Sequence, residues 1–304
     1  ATPSVPSGCT GIACATSGII GQTEEVDVSV YDYGALDRVV QLRCHGARHS
    51  AVVYDIACTF CPIGLAVGGM GVTRFTLYPL SVPEPKCDGG LPLSAVLWEL
   101  LLSNGNLGDA VALLQRLFQH LDEEVETAPT MAAGAALLLS QPGHGIVLVE
   151  WSRTQLWVSP ICFEGILLHA NHCVVGSTLV DLESKSVAKL NYGSKWRQAA
   201  LEEFYEQELL GGRAPPLSEQ QLKAALSISS VQNDSVLATV VVCPAERAVH
   251  VRFRLQTEGM QLADDTVACD FWQRFTDEDE MGTRPRSRWA SRRIETQAKE
   301  HEEA

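Results

Sequence analysis

The sequence predicts an α+β protein of layered antiparallel sheets, and three observations carry that prediction. From Cys9 to about Arg254, short apolar runs of strand length are broken by Gly, Pro, Asn and Asp. Many such runs at close spacing imply antiparallel pairing. Helical periodicity is confined to the middle and late chain, with strands before, between and after it, and segregated runs of this kind favour an α+β domain over a βαβ alternation.

Taken in order, the first element is a short apolar strand in GIACATSGII, followed by Gly21-Gln22-Thr23-Glu24-Glu25. Val26–Tyr31, Arg38–Arg43 and Ala51–Ile56 are strand candidates because each is rich in β-branched or large apolar residues and bounded by turn formers. Helical spacing then places Leu93, Val96, Leu97, Leu100 and Leu101 on one face of Leu93–Leu102, and Leu107, Val111, Leu114 and Leu117 on one face of Leu107–Leu121. The SNGN turn at Ser103–Asn106 separates the two helices. Strands follow at Gly145–Trp151, Gln155–Ser159 and Gly165–His169, then a helix over Lys195–Glu208. A short helix is expected from the N-cap Ser218, in the box Ser218-Glu219-Gln220-Gln221, to near Leu226. Ser235–Cys243 and Ala248–Arg254 complete the strands.

Composition narrows the function. A length of 304 residues allows one large domain or two smaller ones, with 46% hydrophobic residues for a core. With 23 Lys+Arg against 37 Asp+Glu the net charge is −14, which argues against a nucleic-acid or anionic-membrane binder, since both need a positive field. The longest apolar run, Met131–Leu139, has nine residues, too few to span a bilayer, so the chain reads as soluble. The opening ATPSVPSG lacks the apolar core of a signal peptide and begins with Ala, as a processed end or a fragment would. Ten cysteines scattered at irregular spacing point to a reducing compartment, hence the cytoplasm. Residues 256–304 read as a charged tail, and 276–304 in particular carry blocks of both signs with almost nothing apolar.

Two constellations could carry chemistry. Gly8-Cys9-Thr10 places a thiol near the chain start. If the bond before Cys9 is cut, the cysteine gains an α-amine of pKa about 7.7–8.0 beside a thiol of about 8.5, and the amine can serve as the thiol's own base. Gly8 suits a peptide bond that must twist for attack, because it lacks a Cβ. The competing reading is a small buried thiol at a strand start. The second constellation is Leu168-His169-Ala170-Asn171-His172-Cys173, where the Asn171 side-chain amide could donate to the oxyanion of a tetrahedral intermediate.

Other clusters rank lower. Cys58-x-x-Cys61 with Cys44, His45 and His49 upstream could hold zinc, but a second C-x-x-C is absent, and buried packing is the preferred reading. Arg197 in SKWRQ could bind a substrate carboxylate or form a structural ion pair, and Glu150 in EWS is similarly open. No phosphate-binding loop of the G-x-x-x-x-G-K-[ST] form occurs.

These residues resemble a known family. GCT at Gly8–Thr10, GQTEE at Gly21–Glu25, the glycine-rich Gly64–Thr73, the segment Gly90–Arg116, AAGAALLL, GHGIVLVEWS, HANHC, the Ser194–Arg197 helix start and LATVVVCPAERAVHVRF at Leu237–Phe253 match, in order, the acyl-coenzyme A:isopenicillin N acyltransferase-like family of self-processing N-terminal nucleophile hydrolases. The resemblance implies a four-layer αββα sandwich over 9–255 and a short pro-segment, 1–8, lost by self-cleavage between Gly8 and Cys9. Cys9 would then attack an amide or thioester carbonyl and pass the acyl group to water or an amine. Asn171 falls on the family's oxyanion-stabilising Asn, and Glu25 on its acid near the nucleophile, with Asp27 a lesser substitute. The substrate implied is a small-molecule amide, a short peptide or an acyl thioester, with acyl-coenzyme A a possible acyl donor and no resident cofactor or metal. Nucleic-acid and membrane partners are not expected, and the oligomeric state is left open. Gly11 stands where the penicillin-forming member has a second Thr, and Ser235-Val236-Leu237 where it has an Arg, so a penicillin-type substrate is not expected. The alternative is a member that keeps the fold without the chemistry, as a binding or scaffold protein.

Overall fold

The computed structural model describes residues 8–25, 37–43, 48–56, 61–77, 91–122, 134–152, 155–174, 185–209, 217–232, 236–253 and 272–277. Six strands come first: β1 (Thr10–Cys14), β2 (Ile20–Glu25), β3 (Asp37–Leu42), β4 (Ala51–Ile56), β5 (Ile63–Leu65) and β6 (Gly71–Thr76). Helices α1 (Leu93–Leu102) and α2 (Leu107–Asp122) lead into β7 (Ala135–Gln141), β8 (Gly145–Trp151), β9 (Leu156–Val158) and β10 (Ile166–His169). Helix α3 (Lys185–Phe204) runs on as a π-helical turn, Tyr205–Leu209, and α4 (Glu219–Ala225) precedes β11 (Val236–Cys243), β12 (Ala248–Phe253) and β13 (Trp272–Thr276).

Every strand pairing among the described residues is antiparallel. One sheet is a seven-stranded meander, β3 to β9 in chain order; the other has the order β10-β1-β2-β11-β12-β13. The second order matters for function. It inserts the first hairpin between late strands, so the residues before Thr10 start from the interior of a sheet rather than its edge.

The period of two along each strand builds the layers. Val240 and Val242 of β11, with Ile20 of β2, meet Val52, Tyr54, Phe75 and Leu138 of the other sheet. Between them, Val241 and Cys243 face outward onto Leu217, Leu222 and Leu226 around α4. In the seven-stranded sheet, Leu137, Leu139, Val147 and Val149 face α1 and α2 through Val96, Leu97, Leu100 and Leu114. Helices therefore cover the outer face of each sheet, giving the four-layer αββα sandwich. Each such side chain contributes about 1.5–3 kcal/mol by leaving water.

Several local signals act as read. Ser218 Oγ accepts the Gln221 N–H at 3.2 Å while Gln221 Oε1 accepts the Ser218 N–H at 2.9 Å, a complete capping box. Elsewhere the structure differs. GIACATSGII is a hairpin rather than one strand, because Gly18, at φ 66°, reverses the chain and its N–H reaches the Cys14 carbonyl at 2.9 Å. The third helix starts at Lys185, ten residues before Lys195. β5, β6 and β7 occupy stretches read only as glycine-rich or apolar. Val26–Tyr31 lies outside the described residues.

β13 lies within 256–304 and pairs with β12. Just beyond it, Asp277 is buried: its carboxylate takes hydrogen bonds from Arg247 Nε and pairs with His49 Nδ1 at 2.8 Å, while its carbonyl accepts from Gln41 Nε2 at 2.6 Å. Arg247, from the β11–β12 turn, also reaches the Val67 carbonyl at 3.2 Å. The end of the six-stranded sheet is thus clasped to the seven-stranded one.

Candidate active site

Register positions the site. Thr10 pairs with Thr23 across β1 and β2, so the next residues outward, Cys9 and Gly8, come opposite Glu24 and Glu25. Alternation then sends neighbouring carboxylates to opposite faces. Gln22 and Glu24 join Cys9 in the space between the sheets; Glu25 joins Thr10 beneath α3.

Between the sheets, the Cys9 thiol donates to Glu24 Oε2 at 3.4 Å, and Gln22 Nε2 donates to the same oxygen at 2.9 Å. The other Glu24 oxygen accepts from Arg74 Nη2 at 2.6 Å. Arg74, on β6, is tied down by its Nε on the Cys61 carbonyl at 2.8 Å and its N–H on Gln22 Oε1 at 2.8 Å. Cys9 is only 4% exposed. Burial pushes its thiol well above the ordinary cysteine range, the Glu24 charge adds to this, and Arg74 and a backbone hydrogen bond from Glu25 act in the thiolate's favour.

Under α3, Glu25 Oε2 accepts the Gly8 N–H at 2.5 Å, and Glu25 Oε1 lies 3.6 Å from Arg197 Nε. Arg197, 1% exposed, donates from Nε to Thr10 Oγ1 at 2.9 Å and from Nη2 to Asn171 Oδ1 at 2.9 Å. Because a guanidinium only donates, that contact fixes which end of the Asn171 amide is the NH₂. Its Nδ2 donates to the Thr76 carbonyl at 2.9 Å, and its backbone N–H to Ser194 Oγ at 2.6 Å. A Cβ on Gly8 would stand 2.1 Å from Asn171 Oδ1 and 2.6 Å from Arg197 Nη2. Glycine is therefore required here by close approach, a stronger reason than the ease of twisting the peptide.

The turn that carries Asn171 is held at both ends by Glu150 of β8. Its Oε1 accepts from His169 Nε2 at 2.8 Å and from the Val174 N–H at 2.7 Å, and both side chains of the His169–Glu150 pair are fully buried. His172 Nδ1 lies 2.8 Å from Ser194 Oγ. Burial first, then the charges of His169 and Lys195, bring its pKa from 6.5 down to about 4, so it is neutral at physiological pH.

The structure thus brings Gly8, Cys9, Glu25 and Asn171 into one neighbourhood. Asp27, Cys44, His45 and Cys58 lie outside the described residues, while His49 belongs to the Asp277 clasp. Residue reasoning missed Glu24 as the thiol's partner, and missed Gln22, Arg74 and Ser194. One signal was present: an arginine inside the otherwise strand-like GVTRFT is costly in a buried sheet unless something pairs with it. Gly11 is also explained, since a Cβ there would meet the Phe75 ring at 2.5 Å, leaving no room for a threonine.

A second buried cysteine cluster lies on the outer face. The donor atoms of Glu219, Cys243 and His250 fall within 4.8 Å of one another. Lys223 donates to Glu219 and lies 3.2 Å from His250 Nδ1. An ammonium donating to Nδ1 leaves the imidazole proton on Nε2, which faces Glu219 Oε2 at 3.3 Å, so Lys223 already supplies the positive charge of this group.

No protein-family model and no curated protein sequence matches the chain. Among solved structures it is similar to a cysteine-to-alanine variant of conjugated bile acid hydrolase from Clostridium perfringens, with TM-score 0.50 and 11% identity over 90% of this chain and 93% of that one. The chain has the N-terminal nucleophile hydrolase fold. Weaker likenesses are to the N-acylethanolamine-hydrolyzing acid amidase ortholog of Caenorhabditis elegans, with TM-score 0.43 and 12% identity over 78% of this chain and 93% of that one. Penicillin V acylase from Agrobacterium tumefaciens also has TM-score 0.43 and 12% identity, over 82% and 83%. Within the N-terminal nucleophile hydrolase fold of this chain, the candidate thiol sits at the head of β1, and no helix among the described residues is long and apolar enough to cross a membrane.

Proposed function

We propose that this protein is a self-processing amide-bond hydrolase or acyltransferase whose nucleophile is Cys9, freed by cleavage of the Gly8–Cys9 bond. One observation supports this above the others: four groups converge on that single peptide. Glu24 engages the thiol, Glu25 holds the Gly8 N–H, and Asn171 and Arg197 close against the Gly8 Cα. A structural cysteine at a strand start needs none of these contacts. The shared fold with conjugated bile acid hydrolase is in keeping with hydrolysis of a small-molecule amide.

In turnover, the α-amine released on Cys9 takes the thiol proton, and the thiolate attacks the substrate carbonyl to give a thioester acyl-enzyme. Asn171 serves the oxyanion through the second hydrogen of its NH₂, the first being held by Thr76. Departure of the segment ending in Gly8 opens the place beside Glu25, Asn171 and Arg197 to the substrate. Water or an amine then resolves the thioester. Substrates of this kind are small amides, short peptides or acyl thioesters, acyl-coenzyme A among them.

The test is intact-mass analysis of the purified chain, with activity-based thiol labelling and a panel of N-acyl amino acids, peptides and acyl thioesters. The expected result is loss of residues 1–8, and neither cleavage nor acyl-probe labelling in Cys9→Ala. A chain that keeps its first eight residues and ignores acylating probes is instead a binding or scaffold protein with a buried thiol.

A further inference from the structure

Self-cleavage poses a problem that turnover does not. Before the Gly8–Cys9 bond is broken, the nitrogen of Cys9 is an amide and cannot act as a base, so the thiol must lose its proton to another group. Resting on the reading above, we propose that Glu24, not Glu25, is the general base of the self-cleavage step.

Three observations carry this. Glu24 Oε2 is the hydrogen-bond acceptor of the Cys9 thiol at 3.4 Å, which already defines the proton's path. Glu25 points to the other face, with its Oε2 engaged by the Gly8 N–H, so it anchors the acyl side of the bond. And Arg74 stands against Glu24 Oε1 at 2.6 Å with its charge also acting on Cys9. Moving the proton from Sγ to Glu24 converts one carboxylate–guanidinium pair into a thiolate–guanidinium pair. The buried cluster keeps the same net charge, which avoids the cost of creating an unpaired ion in the interior.

The step balances as follows. Glu24 takes the Sγ proton, and the sulfur lone pair forms a bond to the Gly8 carbonyl carbon. The C–N bond to Cys9 breaks, and the proton passes from Glu24 to the departing Cys9 nitrogen. The product is a thioester between Gly8 and Cys9 Sγ, and water hydrolyses it, releasing a Gly8 carboxylate and regenerating the thiol. Glu24 returns to its ionised form. The free amine can now take over as base, so Glu24 serves this step once in the life of each molecule.

The experiment is an intact-mass time course of refolded full-length chain for wild type, Cys9→Ala, Glu24→Gln, Glu24→Asp and Glu25→Gln, with a thermal melt of each. Glu24→Gln is expected to slow cleavage by about 10²–10⁴-fold, the usual worth of a positioned base. Its residual rate should climb about tenfold per pH unit as hydroxide replaces the carboxylate, whereas the wild-type rate stays level from about pH 6 to about pH 8. Cys9-dependent cleavage that Glu24→Gln leaves within about threefold of wild type, in a chain that melts cooperatively, overturns the role of Glu24 while leaving the nucleophile in place. If Glu24→Gln does not fold, the wild-type pH profile decides: a tenfold rise per unit overturns the proposal and a level rate supports it. A wild-type chain that is never cleaved, or cleavage that persists in Cys9→Ala, overturns both this proposal and the reading beneath it.

Discussion

Glu24 and Glu25 are adjacent in sequence, both buried and each beside an arginine, yet they stand in two different rooms. Glu24, with Arg74 and Gln22, faces the space between the sheets and meets a thiol. Glu25, with Arg197, Thr10 and Asn171, lies beneath α3 and meets a backbone N–H. The pleat of β2 is the whole cause of the separation. The difference teaches that one strand can line two walls, one meeting a thiol between the sheets and the other a backbone N–H beneath α3.

The largest expected effects come from removing either arginine. Arg74→Met or Arg197→Met leaves a carboxylate buried beside a lost partner and should cost about 3–5 kcal/mol in urea unfolding. The paired variants Arg74→Met/Glu24→Gln and Arg197→Met/Glu25→Gln should recover most of that loss. Recovery in one pair only would show that the two walls are not equivalent in stability. On the Glu25 wall, Asn171→Ala should lower turnover by about 10²–10³, or 3–4 kcal/mol, in a chain that still folds, and should also lower the melting temperature, because Arg197 Nη2 and the Thr76 carbonyl lose a buried partner. Unchanged turnover would remove Asn171 from the chemistry.

The smallest effect depends on pH. His172 titrates near 4 in the folded protein against 6.5 ordinarily, because burial and then the neighbouring His169 and Lys195 disfavour its charge. Between those values the unfolded chain binds more protons, so stability falls as pH drops through that window, by about 3 kcal/mol. Urea melts across the window should show that slope reduced, not abolished, in His172→Asn. Part of it remains because His250, lowered to about 4 by burial and Lys223, has the same sign.

Much of this was legible in the sequence, and the exceptions have physical causes. Strands rich in β-branched residues and bounded by turn formers were read to within a residue or two: β4 and β8 match Ala51–Ile56 and Gly145–Trp151. β7, AALLLSQ, is buried on both faces like β4 and β8 but was missed because it is built of Ala and Leu, which favour helices, and holds no β-branched residue to mark it as a strand. β5 and β6 were hidden by the glycines that let the sheets approach, as at Gly71, where a Cβ would meet Ile20 at 2.6 Å. In the site, Cys9, Gly8, Glu25 and Asn171 were legible because local motifs mark them. Arg74 comes from β6, 65 residues along from Cys9, and only tertiary pairing reveals its partner. Glu24 was overlooked for a simpler reason: beside another glutamate it looks redundant until the pleat sets the two apart.

The clasp at Asp277 bears on how this protein can be handled. The change in sequence texture near Arg254 invites a shortened version ending there, yet Asp277 is 3% exposed and holds Arg247, His49 and Gln41 together. Trimming at 254 would strip an edge strand from one sheet and strand the Arg247 guanidinium against the backbone of the other. A useful boundary therefore lies past Asp277, and a tag or fusion partner belongs there as well. At the other end, under the proposal that the Gly8–Cys9 bond is cut, anything appended before Gly8 would leave with that segment, and its loss would itself report the reaction.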